Sequence, residues 1–211
     1  MRKSIAFAAL LMTLPAGAAA QAAATTARSQ APVWEFAATL YGFGIPDGTS
    51  YLLPIVTADR GHLHVEGRYN YESLRSASLF VGWTVEGGEK LHAVATPIAG
   101  IVVGDLDGAA PGLELTLALS HFELYSEAEY VFDFAGRAGD YFYVWSEFTY
   151  GISPAWRAGL AAQRLRTTES GLSVDRGLMV GWQPGNWGAS ATAFDPFTPD
   201  VFYAISASVS F

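Results

Sequence analysis

The last eleven residues constrain the fold more than any other stretch. From Val201 to Phe211 the chain reads Val-Phe-Tyr-Ala-Ile-Ser-Ala-Ser-Val-Ser-Phe. Tyr203, Ile205, Ala207, Val209 and Phe211 share one face at a period of two, and Ala204, Ser206, Ser208 and Ser210 share the other. That period excludes a helix. One greasy face and one small polar face suit a wall between lipid and a wet lumen.

The opposite end agrees. Arg2 and Lys3 precede an apolar run from Ile5 to Leu14, then Pro15, Gly17 and the small residues Ala18-Ala19-Ala20. This order of parts predicts a signal peptide over 1–20 rather than a membrane helix, because the run is too short to span. Residues 21–32 are small and polar and predict a flexible lead-in, followed by one domain over 33–211. There is no cysteine, hence no disulfide. Without the signal, ten basic residues face twenty acidic ones, which argues against a nucleic-acid partner.

Nothing after the signal offers 18 consecutive apolar residues, so spanning helices are excluded. Alternating runs separated by Gly, Pro, Asp and Ser clusters predict strands instead. They fall near 34–43, 51–58, 62–71, 77–86, 90–104, 113–119, 122–132, 141–150, 155–166, 174–183, 187–194 and 201–211. The connections alternate long and short if a tight turn lies at Ser120-His121. Longer loops are expected at 44–50, 72–76, 105–112, 133–140, 167–173 and 195–200. Pro54 and Pro97 fall inside strands, where a missing N–H calls for a bulge.

The whole pattern resembles the small bacterial outer-membrane β-barrel proteins. The specific mark is the terminal strand Tyr203-x-Ile205-x-Ala207-x-Val209-x-Phe211, ending on an aromatic. The resemblance implies an all-β, transmembrane, antiparallel up-and-down barrel of about twelve strands, with ten or eight as alternatives. It implies export to the outer membrane of a Gram-negative cell, contact with lipid and lipopolysaccharide, and recognition by the barrel-assembly machinery through Tyr203, Ile205, Val209 and Phe211. A soluble barrel with its greasy face inward is the structural rival.

In such a barrel the polar face points inward. The expected lumen carries Glu66, Arg68, His64, Glu123, Glu127, Glu129, Glu147, Arg157 and Arg164, together with Glu35, Lys90, His92 and Glu114. Glu123, Glu127 and Glu129 lie on one strand at steps of about 7 Å per two residues. Their expected counter-charges are Arg157, Arg164 and Arg166, two strands away. Trp34, Trp156, Trp187, Tyr41, Tyr71, Tyr150 and Tyr203 are candidate interface aromatics.

Other chemistry is thin. His62-x-His64-x-Glu66, with His92 nearby, carries metal-ligand residue types, yet polar rim residues explain them and no metal is expected. Asp105-x-Asp107-Gly108 opens like a calcium loop, but position twelve is Thr116, so a turn is expected. Ser120-His121 lacks a nucleophile elbow, and no cofactor motif is present, so no enzyme is expected. The leading functional expectation is a narrow passive channel or binding barrel for small cationic or neutral solutes. A structural barrel plugged by salt bridges is the alternative, and an outer-membrane enzyme the second.

Overall fold

The computed structural model describes residues 32–46, 48–167 and 171–211. The signal peptide and all but Pro32 of the lead-in lie outside the described residues. The strands are β1 (Glu35–Gly44), β2 (Tyr51–Arg60), β3 (Leu63–Tyr69), β4 (Ser76–Trp83), β5 (Val85–Gly87), β6 (His92–Gly104) and β7 (Gly108–Leu119). They continue as β8 (Phe122–Asp133), β9 (Tyr141–Gly151), β10 (Trp156–Thr167), β11 (Gly171–Trp182), β12 (Trp187–Phe194) and β13 (Phe202–Ser210). Apart from β4 and β5, which both lie along β6, consecutive strands pair antiparallel. β1 pairs with β13, from Ala37 opposite Ser210 to Gly44 opposite Tyr203, and β4 pairs with β6, which closes the ring.

β4 and β5 keep one register against β6 and form a single interrupted strand, so the ring has twelve staves. The interruption has a local cause. Trp83 lies opposite Pro97, which has no N–H to give. Thr84 and Thr96 bridge the gap through their hydroxyls at 3.0 Å. Pro54 sits just past Ile55–Arg68, where the β2–β3 ladder ends. The registers at both prolines run without an inserted residue, so the expected bulges are absent: the ladder stops at these prolines instead.

The split at Ser120 holds. Leu119 faces Phe122 across a two-residue turn, with Ser120 at φ 56°. The expected loop over 105–112 is mostly strand, since Gly108 already pairs with Val102. The remaining three residues form a tight turn. Gly104 takes φ 136° and its N–H donates to Asp107 Oδ1 at 3.1 Å, while Arg75 clamps Asp105. That is the turn expected in place of a calcium loop.

Alternation sorts the two faces. Leu52, Val56, Leu79, Val81, Ile101, Leu160, Leu178, Tyr203 and Ile205 stand exposed on the outside as an apolar belt. Trp34, Trp156, Trp182, Trp187 and Phe211 are exposed near the end with the shorter turns. Two predicted belt aromatics are corrected. Tyr41 is 5% exposed and points inward, having the same parity as Ala37 and Thr39. Tyr71 is fully buried, because Asn70 at φ 60° breaks the alternation and turns the next residues into the lumen.

Candidate functional site

The barrel interior is filled from its own wall. In the half nearer the long loops, Phe43, Leu53, Tyr71, Phe80, Tyr141, Tyr143, Phe194 and Phe202 form one buried cluster. Small residues make room for large ones across the ladder. Phe80 lies opposite Gly100, where an added Cβ would come within 2.5 Å of its ring. Glu129 lies opposite Gly112, where a Cβ would meet its Cγ at 2.8 Å.

Arg68 occupies mid-height, with its side chain fully buried. Its Nε donates to Glu66 Oε1 at 2.5 Å and its Nη1 to Glu129 Oε1 at 2.5 Å. Glu127 Oε1 is 2.9 Å from Nη1, Glu72 Oε1 is 3.6 Å from it, and Glu114 Oε1 is 3.8 Å from Nη2. Tyr71 and Phe80 sandwich the guanidinium, at 4.0 and 4.3 Å from their ring centroids. One cation therefore serves five carboxylates in a region without bulk water. Such a cluster repays its desolvation only while the central charge stays in place.

The flanking groups are ordered as well. Tyr125 donates to Glu127 Oε2 at 3.2 Å, and Trp145 Nε1 donates to Glu147 Oε1 at 3.2 Å. Tyr143 donates to Gln163 Oε1 at 3.2 Å, and Gln163 Nε2 donates to Asp175 Oδ2 at 2.8 Å. Tyr141 donates to the Glu72 carbonyl at 2.6 Å. His64 stands between two carboxylates, with Nδ1 2.8 Å from Asp59 Oδ1 and Nε2 3.2 Å from Glu66 Oε2.

Glu66, Arg68, His64, Glu127, Glu129 and Glu147 are thus inside, as the alternation predicts. Glu123 is half-buried, lower on the same face of β8. Arg157 is inside too, with Nη2 3.9 Å from Glu147 Oε2. Arg164 is not: it is exposed on the outer wall, as is Arg166. On β10 the odd positions Arg157, Ala161 and Gln163 face inward, and Arg164 lies seven positions after Arg157, an odd step, so the two cannot share a face. The expected pairing of the acidic strand with Arg164 or Arg166 gives way to pairing with Arg68. Glu35 and Lys90 are exposed and lie outside the cluster. His62 is exposed, held to the Thr84 carbonyl at 2.7 Å and stacked on Trp83, and His92 lies 3.6 Å from Glu86.

Two inward residues, Glu72 and Asp59, lie outside the set expected from the sequence. Glu72 sits in a polar-looking loop and carried no signal. Asp59 has the inward parity of Thr57, a signal that was present.

A cavity of about 20 Å³ touches Thr39, Glu147, Arg157, Ser190, Ser206 and Ser208 at the short-turn side, room for about one water. A roomier depression of about 370 Å³ lies on the wall beside Gly42, Leu52, Tyr203 and Ile205.

No family model and no curated protein matches the sequence. Solved structures do. A structure of the KdgM porin superposes with a TM-score of 0.60 at 9% identity, covering 83% of this chain and 99% of that one. The KdgM porin in complex with disordered oligogalacturonate gives 0.57 at 8%, covering 84% and 99%. At such identity the likeness speaks for the fold alone, and that fold is the closed twelve-strand barrel of outer-membrane porins.

Proposed function

We propose that the protein is an outer-membrane barrel acting as a narrow conduit for small cations, constricted at mid-height by Arg68 and its carboxylates. The observation that carries this reading is the surplus of negative charge: five carboxylates converge on one guanidinium across the lumen. An acidic constriction favours cations over anions. Galacturonate units carry carboxylates, so the ligand named with the KdgM porin is not carried over to this lumen. Planar-bilayer recording tests the reading. Small, cation-favouring currents are expected from the purified barrel, and Glu127→Gln/Glu129→Gln should lower the cation preference. Large currents without selectivity would refute it.

A second reading has its own support in the packed interior. With Phe43, Leu53, Phe80, Tyr143 and Phe194 filling the interior, the barrel serves as a structural element that conducts nothing. Silence in the bilayer from wild type and double variant alike selects this reading.

Export, lipid contact and assembly belong to the same proposal. The exposed apolar belt fits acyl chains. Arg164, Arg166 and Arg176, exposed on the outer wall of β10 and β11 toward the long-loop end, fit the anionic headgroups of lipopolysaccharide. Tyr203, Ile205 and Phe211 project outward, where assembly machinery could read them, with Val209 half-buried on the same side.

A further inference from the structure

Three ligand-type side chains in the lumen stand at metal-site spacing. One ligand atom each from His64, Glu66 and Glu114 lies within 4.8 Å of the others. His64 Nε2 and Glu66 Oε2 are 3.2 Å apart. Two ligands bound at about 2.0–2.1 Å to a tetrahedral zinc ion stand about 3.3 Å apart, so this pair already has the separation that a shared metal imposes.

The surroundings suit a metal in two further ways. Asp59 Oδ1 holds His64 Nδ1 at 2.8 Å. A carboxylate on the far ring nitrogen fixes the imidazole and raises its basicity as a ligand, the arrangement found behind metal-bound histidines. Positive charge is also scarce: Glu127 Oε1 shares the single Arg68 Nη1 at 2.9 Å with Glu129, and Glu129 Oε2 is buried without a hydrogen-bond donor. Glu127 lies directly opposite Glu114 in the β7–β8 ladder.

The site is also reachable. The Glu114 side chain is 18% exposed and Asp59 17%, whereas Arg68 above them is fully buried. Glu114 is held only loosely, with Arg68 Nη2 3.8 Å from its Oε1. Arg68 occupies Glu66 Oε1, which leaves Oε2 for coordination.

We infer that His64, Glu66 and Glu114 form a divalent transition-metal site of the zinc class in the short-turn half of the lumen, with Asp59 positioning His64. On binding, the metal takes the place of the Nε2 proton between His64 and Glu66, and that proton leaves to solvent. Nδ1–H stays with Asp59. The site depends on lumen geometry and not on conduction, so a barrel that passes no current still binds.

The test is calorimetric titration of the refolded full barrel in detergent, stripped with chelator, using zinc chloride as the probe. Saturable binding of one ion per barrel is expected. Glu114→Gln should weaken it at least tenfold while the protein keeps its heat-modifiable migration on gels, and His64→Gln should do the same. His62→Gln, His92→Gln and His121→Gln should bind as wild type. Zinc should raise the unfolding midpoint of wild type but not of Glu114→Gln. No saturable binding by wild type, unchanged binding by Glu114→Gln, or loss of binding in the three control variants would each overturn the inference.

Discussion

The two halves of this lumen are lined by the same strands and look nothing alike. Toward the long loops, the inward positions of β1, β2, β4, β9 and β12 are Phe43, Leu53, Phe80, Tyr141 and Phe194, all buried. Toward the short turns, β1, β12 and β13 turn Thr39, Ser190, Ser206 and Ser208 inward around the small cavity. Arg68 and its carboxylates mark the boundary. The backbone pattern is constant along each strand, so residue size alone makes one half a packed core and the other a shallow polar vestibule. Apolar burial secures the first at about 1.5–3 kcal/mol per large side chain. The second contributes little to stability and leaves room for water or an ion.

That contrast can be broken by substitution. The largest effect belongs to the boundary: Arg68→Met should cost about 3–5 kcal/mol, because it strands buried carboxylates. Urea unfolding followed by gel mobility measures it, and adding Glu127→Gln/Glu129→Gln should restore part of the loss. Next comes the packed half. Trp145, buried edge-on against Phe194 at 5.3 Å, should cost about 3 kcal/mol as Trp145→Ala in the same assay.

A smaller effect is tied to pH. Burial lifts the Glu72 carboxyl above the usual carboxylate range, with Arg68 opposing the shift. An acid with a raised folded pKa holds its proton more tightly in the folded state. Its stabilisation is full below the ordinary carboxylate range and is lost as pH rises through the raised value. Glu72→Gln should remove that loss, so the variant gains on wild type from acid toward neutral pH. Unfolding midpoints across that range check the sign. The smallest effect is expected in the vestibule, where Ser208→Ala should stay within about 0.5 kcal/mol of wild type.

The asymmetry also explains what could be read in advance. The all-β barrel, its twelve strands and the turn at Ser120 were legible because Gly, Pro and Asp punctuate clean alternation. The inward set was legible wherever inward meant polar, as on β3, where His64, Glu66 and Arg68 step by two. It failed where inward meant aromatic. Around Tyr41, Phe43 and Leu53 both faces are apolar, so hydropathy alternation vanishes although the pleat persists. Arg164 differs for another reason: its charge suggests the lumen, but its parity is opposite to that of inward Arg157. Glu72 was beyond reach of periodicity, because its inward turn depends on the left-handed conformation of Asn70.

Single-cysteine labelling tests the divided lumen most directly, since the sequence has no cysteine of its own. Ser206→Cys and Ser208→Cys place a thiol in the vestibule, and Ala110→Cys places one among the fully buried residues of the other half. In the folded barrel, a charged water-soluble maleimide should label Cys at 206 and 208 and spare Cys at 110 until the protein is unfolded. Equal labelling rates at all three positions would mean an open lumen and would contradict the account.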